Sequence, residues 1–232
     1  LFEGSPFNQS VAAWDTSKVI SFAAMLCGTT AFNQNVSGFD ISAATDMSPM
    51  FRAAKAFNTP ISSWVFPAGC NVAGMFAYTE VFNASLTFNT GALTSTREMF
   101  EGAKAFNHSS IDGLDMGSVT TMQDMFNNAA VFNQSMNSWN TSSVVNMQSM
   151  FANAKKFNGN ITGWNVSNVQ NFKSTFYYCE KMNQALNTWN TGSATTMDSM
   201  FYRTREFNQP LDTWDTALVS NMDRMFSGCW AF

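Results

Sequence analysis

Charge is scarce in this chain. Asp, Glu, Lys and Arg make up 12% of its 232 residues, and sixteen acidic against twelve basic residues leave a net charge of −4. No basic run occurs, which argues against a nucleic-acid surface. No apolar run reaches bilayer-spanning length, so membrane insertion by this segment is not expected. The single histidine, His108, has no cysteine or carboxylate set spaced to join it. The chain carries no Ser/His/Asp arrangement, phosphate loop or carboxylate pair at a defined separation. An enzyme is not expected.

What is abundant is phenylalanine, methionine and repetition. Taking each FN-type pair as a start gives Phe7, Phe32, Phe57, Phe82, Phe106, Phe132, Phe157, Met182 and Phe207, with Phe232 opening another. The spacing is 25 except for one 24 and one 26. The fourth repeat lacks a residue before Phe88, and the fifth carries one extra before Leu114. Such self-similarity marks units that cannot bury an apolar face alone and must stack on their neighbours. Residues 1–232 therefore read as one continuous array of nine repeats, expected to be an internal part of a longer chain because neither end departs from the repeat.

Written as one line, the repeat is F-N-Q-x-[ILVM]-x-x-W-[DN]-T-S-x-V-x-[STND]-M-x-x-M-F-x-x-A. Its second half has the spacing of a short amphipathic helix. Met147, Met150, Phe151 and Ala154 fall at i, i+3, i+4 and i+7. The residues just before these segments are Ser21, Asp46, Asn71, Ser95, Thr121, Asn146, Asn171, Thr196 and Asn221, all of them good helix N-caps. Ser95 and Glu98 also have capping-box spacing. The first half suits a short strand. The expected fold is an α/β repeat solenoid with leucine-rich-repeat-like coils, each a strand plus a two-turn helix. The 16 Met and 23 Phe are then its core rather than a metal-binding or promiscuous stripe.

Two polar positions recur. The Asn of the FN pair is kept in every repeat, at Asn8, Asn33, Asn58, Asn83, Asn107, Asn133, Asn158, Asn183 and Asn208. A buried structural ladder that satisfies backbone groups at a bend is expected there. The position after the Trp/Phe holds Asp15, Asp40, Asn89, Asp115, Asn140, Asn165, Asn190 and Asp215, broken by Val65. Stacked carboxylates could hold calcium, but the free mixing of Asp with Asn favours turn capping, so no cofactor is expected. Asn-x-Ser/Thr sequons occur at Asn8, Asn35, Asn83, Asn107, Asn133, Asn140, Asn160 and Asn165. Four fall in the ladder, where burial would bar modification. That leaves Asn35, Asn140, Asn160 and Asn165 as possible glycosylation sites. Cys179 and Cys229 share a repeat position two repeats apart, about 10 Å, which is beyond disulfide reach, and four free thiols are expected.

Only two charges, Asp112 and Asp212, lie between the repeat-start aromatics and the Trp/Phe positions. Charges gather instead on the second half of the repeat, as at Arg52, Lys55, Arg97, Glu98, Glu101 and Lys104. A flat, uncharged face of small residues opposite a charged back is expected. The signature, nearly intact at 132–154 and 207–226, resembles the BspA-like leucine-rich-repeat surface proteins, whose best-known form is found in mycoplasma lipoproteins. The resemblance covers the whole chain and weakens at Val65–Gly69 and Leu114–Met116. It implies an extracellular or cell-surface protein with an adhesive or recognition role, and it transfers no catalytic residues. The expected partners are other copies of the chain or other extracellular matrix and surface proteins, with glycan, a host protein or ice as alternatives recognised through the flat face.

Overall fold

The computed structural model describes residues 1–232. The expected α/β solenoid of leucine-rich-repeat-like coils is not what the chain builds. It has no α-helix, and its only strands are β1 (Ile61–Val65) and β2 (Leu86–Asn89), which pair in parallel in an unclosed two-stranded sheet. One 3-10 helix, Ser109–Gly113, completes the regular structure. Of 105 backbone–backbone hydrogen bonds, 101 lie outside these elements.

Turns take the place of the expected helices. In the sixth repeat the amides of Met150, Ala152 and Ala154 donate to the carbonyls three residues back. The intervening amides of Met147, Ser149, Phe151 and Asn153 donate instead to Asn171, Lys173, Thr175 and Tyr177 of the next repeat. Alternate donors thus point along the chain and across to the neighbour. A helix would commit every amide to its own segment, yet one of two turns is too short to hold itself together. The turn arrangement lets each repeat share half its donors with the next. Single parallel bridges join the repeats at Ser21, Asp46 and Asn71, and again from Ser95 through Thr121, Asn146, Asn171 and Thr196 to Asn221.

This backbone has a conformational cost. Ala24, Gly74, Glu98, Asp124, Ser149, Ser174, Ser199 and Arg224 occupy one left-handed column, with φ between 52° and 61°. Gly28, Ala53, Tyr78, Gly102, Asn128, Asn153, Tyr178, Arg203 and Gly228 occupy a second. Left-handed φ costs an ordinary residue about 1–2 kcal/mol. Only the packing between repeats can offset that.

The packing is aromatic. Phe51, Phe76, Phe100, Phe126, Phe151, Phe176, Phe201 and Phe226 form an unbroken column whose successive ring centroids lie 5.5–5.7 Å apart. The repeat-start Phe residues form a second column beside it, with steps of 5.7–6.1 Å, interrupted only by Met182. The two columns touch where one repeat passes into the next, as between Phe126 and Phe132 at 4.0 Å. Such offset pairs add about 0.5–1.5 kcal/mol each beyond area burial. All of these rings except Phe7, Phe226 and Phe232 belong to one buried apolar cluster of 63 residues, against which Phe7 and Phe226 pack.

Trp139, Trp164, Trp189 and Trp214 stack in a third column, and each indole Nε1 donates to a carbonyl of the preceding repeat at 2.7–3.4 Å. Where the repeat length changes, the stack adapts. The β1–β2 pair, with its register shift between Ser62 and Val65, spans the place of the short fourth repeat's missing residue, before Phe88 in β2. The 3-10 helix takes up the extra residue of the fifth. His108 caps that helix, its Nδ1 accepting the Ser110 amide at 3.1 Å.

Candidate functional site

The ladder asparagines lie at the surface. Asn107 and Asn183 are half-buried and the other seven exposed, which corrects the expectation of a buried ladder. The Phe of each FN pair turns into the core, so the adjoining Asn must turn outward. Each Oδ1 accepts the backbone amide of the next repeat's Asn, from Asn8→Asn33 through Asn183→Asn208, at 2.7–3.0 Å. Gln34, Gln134, Gln184 and Gln209 donate a second hydrogen bond to the same oxygens at 3.0 Å. Exposure removes the argument that burial bars the sequons at Asn8, Asn83, Asn107 and Asn133 from modification.

The residues read as helix N-caps cap turns, because no helix follows them. Ser21, Asp46, Asn71, Ser95, Thr121, Asn146, Asn171, Thr196 and Asn221 each accept the amide two residues on, at 2.8–3.4 Å. Glu98 does not close a capping box; it is itself left-handed and pairs with Arg97 at 2.9 Å. The Asp/Asn residues after the aromatic make the same kind of turn. Asp15 accepts the hydroxyl of Ser17 at 2.7 Å and its amide at 3.0 Å, which holds the carboxyl below its ordinary range. Asp40 does likewise with Ser42. No three His, Cys, Asp or Glu side chains gather as a cation cage would need.

Asn35, Asn140, Asn160 and Asn165 are exposed. Each Oδ1 accepts the amide of the sequon's Ser or Thr at 2.8–3.2 Å, leaving Nδ2 unengaged. The four cysteines are free thiols. Burial raises all of them, Cys70 and Cys229 to about 11.

Two surfaces therefore differ in character. The face carrying the Asn ladder presents amides, hydroxyls, Gly, Ala and Pro, with Asp112 and Asp212 its only charges. The opposite turn edge carries the ion pairs, several of them between neighbouring repeats: Lys155–Glu180 at 3.4 Å, Lys173–Asp198 at 3.0 Å, and Lys181–Glu206. All four tyrosines of the chain also stand on that edge, in two adjacent repeat positions. Tyr78 donates to Glu101 at 2.5 Å under the guanidinium of Arg52, 4.6 Å from its ring. The hydrogen bond to Glu101, followed by burial, pushes the phenol up to about 12. Tyr177, Tyr178 and Tyr202 cluster around Arg203. The sequence reading passed over these residues, although the confinement of tyrosine to two positions was a visible signal.

Three overlapping stretches, residues 1–88, 86–185 and 158–232, match the family model described as Mycoplasma protein of unknown function, DUF285. No curated protein and no solved structure matches the chain.

Proposed function

Since the chain belongs to the DUF285 family of Mycoplasma proteins of unknown function, we propose that it is an extracellular or cell-surface repeat protein with a structural and adhesive role, a stiff building block of a surface layer or fibre. The observation that carries this reading is the unbroken aromatic column from Phe51 to Phe226. It ties every repeat it passes through to its neighbours without a gap in the column. A stack of this kind resists bending because each repeat contacts the next over its whole section. The low-charge ladder face is where copies of the chain, or other surface proteins, lie against it. Scarce charge lowers the cost of burying such a face, since few ions must be stripped of water.

Negative-stain electron microscopy of the purified chain across a concentration series tests this. Ordered fibres or sheets are expected, and Ser138→Lys with Thr188→Lys, both exposed on the ladder face, should abolish them. Dispersed particles at every concentration would overturn self-assembly. Saturable binding of those particles to a glycan array, sensitive to the same two substitutions, would then favour recognition through the same face.

A further inference from the structure

The second left-handed column holds three bulky residues, Tyr78, Tyr178 and Arg203; its other members are Gly, Ala or Asn. A large side chain is a true outlier at such φ, and strain of this kind is retained where the projected side chain has a use. All three take part in tyrosine–guanidinium contacts.

The two clusters differ in one respect. At the first, carboxylates of the chain complete the arrangement: Glu101 accepts the Tyr78 phenol at 2.5 Å and Glu98 pairs with Arg52 at 3.8 Å. At the second, Arg203 lies 5.1 Å from the Tyr178 ring and 5.5 Å from the Tyr202 ring, while Tyr177 stacks on Tyr202 at 5.0 Å. Arg203 is absent from every ion pair of the chain. None of the three phenols makes a hydrogen bond within the chain, unlike that of Tyr78. Beside them Arg205 lies 4.8 Å from the ring of Trp230, which is 75% exposed. The same repeat position is exposed at Lys55, Glu80, Lys104 and Lys155 and half-buried at Glu180 and Arg205, and among these only position 230 holds an aromatic.

The geometry points to a docking surface for an acidic segment of a partner protein, formed by Tyr177, Tyr178, Tyr202, Arg203 and Trp230. A partner carboxylate takes at Arg203 and the phenols the place that Glu98 and Glu101 take at Arg52 and Tyr78. Apolar partner residues pack on Trp230. Tyr, Trp and Arg together are the composition of protein-interface hot spots, and the unpaired guanidinium supplies the charge complementarity. A protein segment fits better than an acidic polysaccharide. Tyr177 and Tyr202 stack on one another and Arg203 lies over Tyr178 and Tyr202, which leaves a sugar ring fewer tyrosine faces to lie on.

Fluorescence anisotropy with the whole chain tests the assignment, using labelled short peptides of alternating Glu and Leu, their Gln and Lys counterparts, and polygalacturonate as competitor. Saturable binding of the Glu peptides alone is expected, weakened by about tenfold or more in Arg203→Gly and in Trp230→Ala, and unchanged in Arg52→Gln. Glycine suits the φ of 55° at position 203. The thermal midpoint of Arg203→Gly should therefore hold or rise, separating lost binding from lost folding. Equal binding of Gln or Lys peptides, full binding by Arg203→Gly, displacement by polygalacturonate, or no Glu-peptide binding at all would each overturn it.

Discussion

Replacing Ala24 or Ala53 by glycine gives opposite signs under the two backbones that suit these segments. In a helix each change costs about 1 kcal/mol, because glycine is the more flexible residue in the unfolded chain. Here both alanines are left-handed, at φ 52° and 55°. An L-residue forfeits about 1–2 kcal/mol at such angles, and the entropy of glycine takes back about 0.5–1 kcal/mol. The expected result is a gain of about 0.5–1 kcal/mol per site. For a chain of this size that raises the thermal midpoint by about 1–4 °C. Ala152, in the same kind of segment, is buried and absent from both left-handed columns. Ala152→Gly should lose about 1 kcal/mol. Urea denaturation followed by circular dichroism, with thermal melts alongside, reads all three variants. A loss of about 1 kcal/mol in both Ala24→Gly and Ala53→Gly would refute the turn-based account and restore the helix.

The aromatic columns set a second expectation: Phe132→Ala should cost about 3–5 kcal/mol in urea. Phe132→Met, the residue the chain itself places at Met182, should cost less than about 1.5 kcal/mol; equal losses would mean that the column is not a stack of fitted rings. At the ladder, Asn133→Ala removes the acceptor for the Asn158 amide and should cost about 1 kcal/mol or less at this exposed site. Asn133→Asp keeps an acceptor oxygen there and should cost little, so a matching loss would show that the hydrogen bond is not what the residue supplies. Tyr78, with its phenol pushed up to about 12 by Glu101, should ionise above the ordinary tyrosine range in an ultraviolet titration, and Glu101→Gln should return it toward that range. Its proton is held more tightly folded than unfolded. The stability it contributes is therefore whole below about pH 10 and is lost as pH rises through about 12. Late ionisation that survives Glu101→Gln would contradict the assigned cause.

The repeat, its length changes and its buried positions could be read from the sequence, while the backbone that buries them could not. Met147, Met150, Phe151 and Ala154 are all fully buried, as helical spacing requires. A run of turns with left-handed residues four apart, Ser149 and Asn153, buries the same four. Glycine would have distinguished the two, but the first left-handed column holds Ala, Glu, Asp, Ser and Arg and only one glycine, Gly74. Packing between repeats overrides that local preference, and a single repeat does not record it. The Asn ladder was legible as a polar column and misjudged in burial, because alternation about the inward Phe decides which way Asn faces. The tyrosine clusters break the repeat and vanish when it is averaged.

The hydrogen bonds that cross between repeats join each repeat to its two neighbours along the axis. A pull on the two ends of the chain therefore loads these bonds along their length, a few at a time, at the outermost repeat only. The stack should yield by peeling. Each freed repeat of 25 residues lengthens the chain by about 80 Å, and the next repeat then takes the load. Force spectroscopy would read this as a low, stepped plateau. The stack proposed above to be stiff when bent should then become an extensible tether when stretched, releasing slack in equal portions and recovering it when the tension falls.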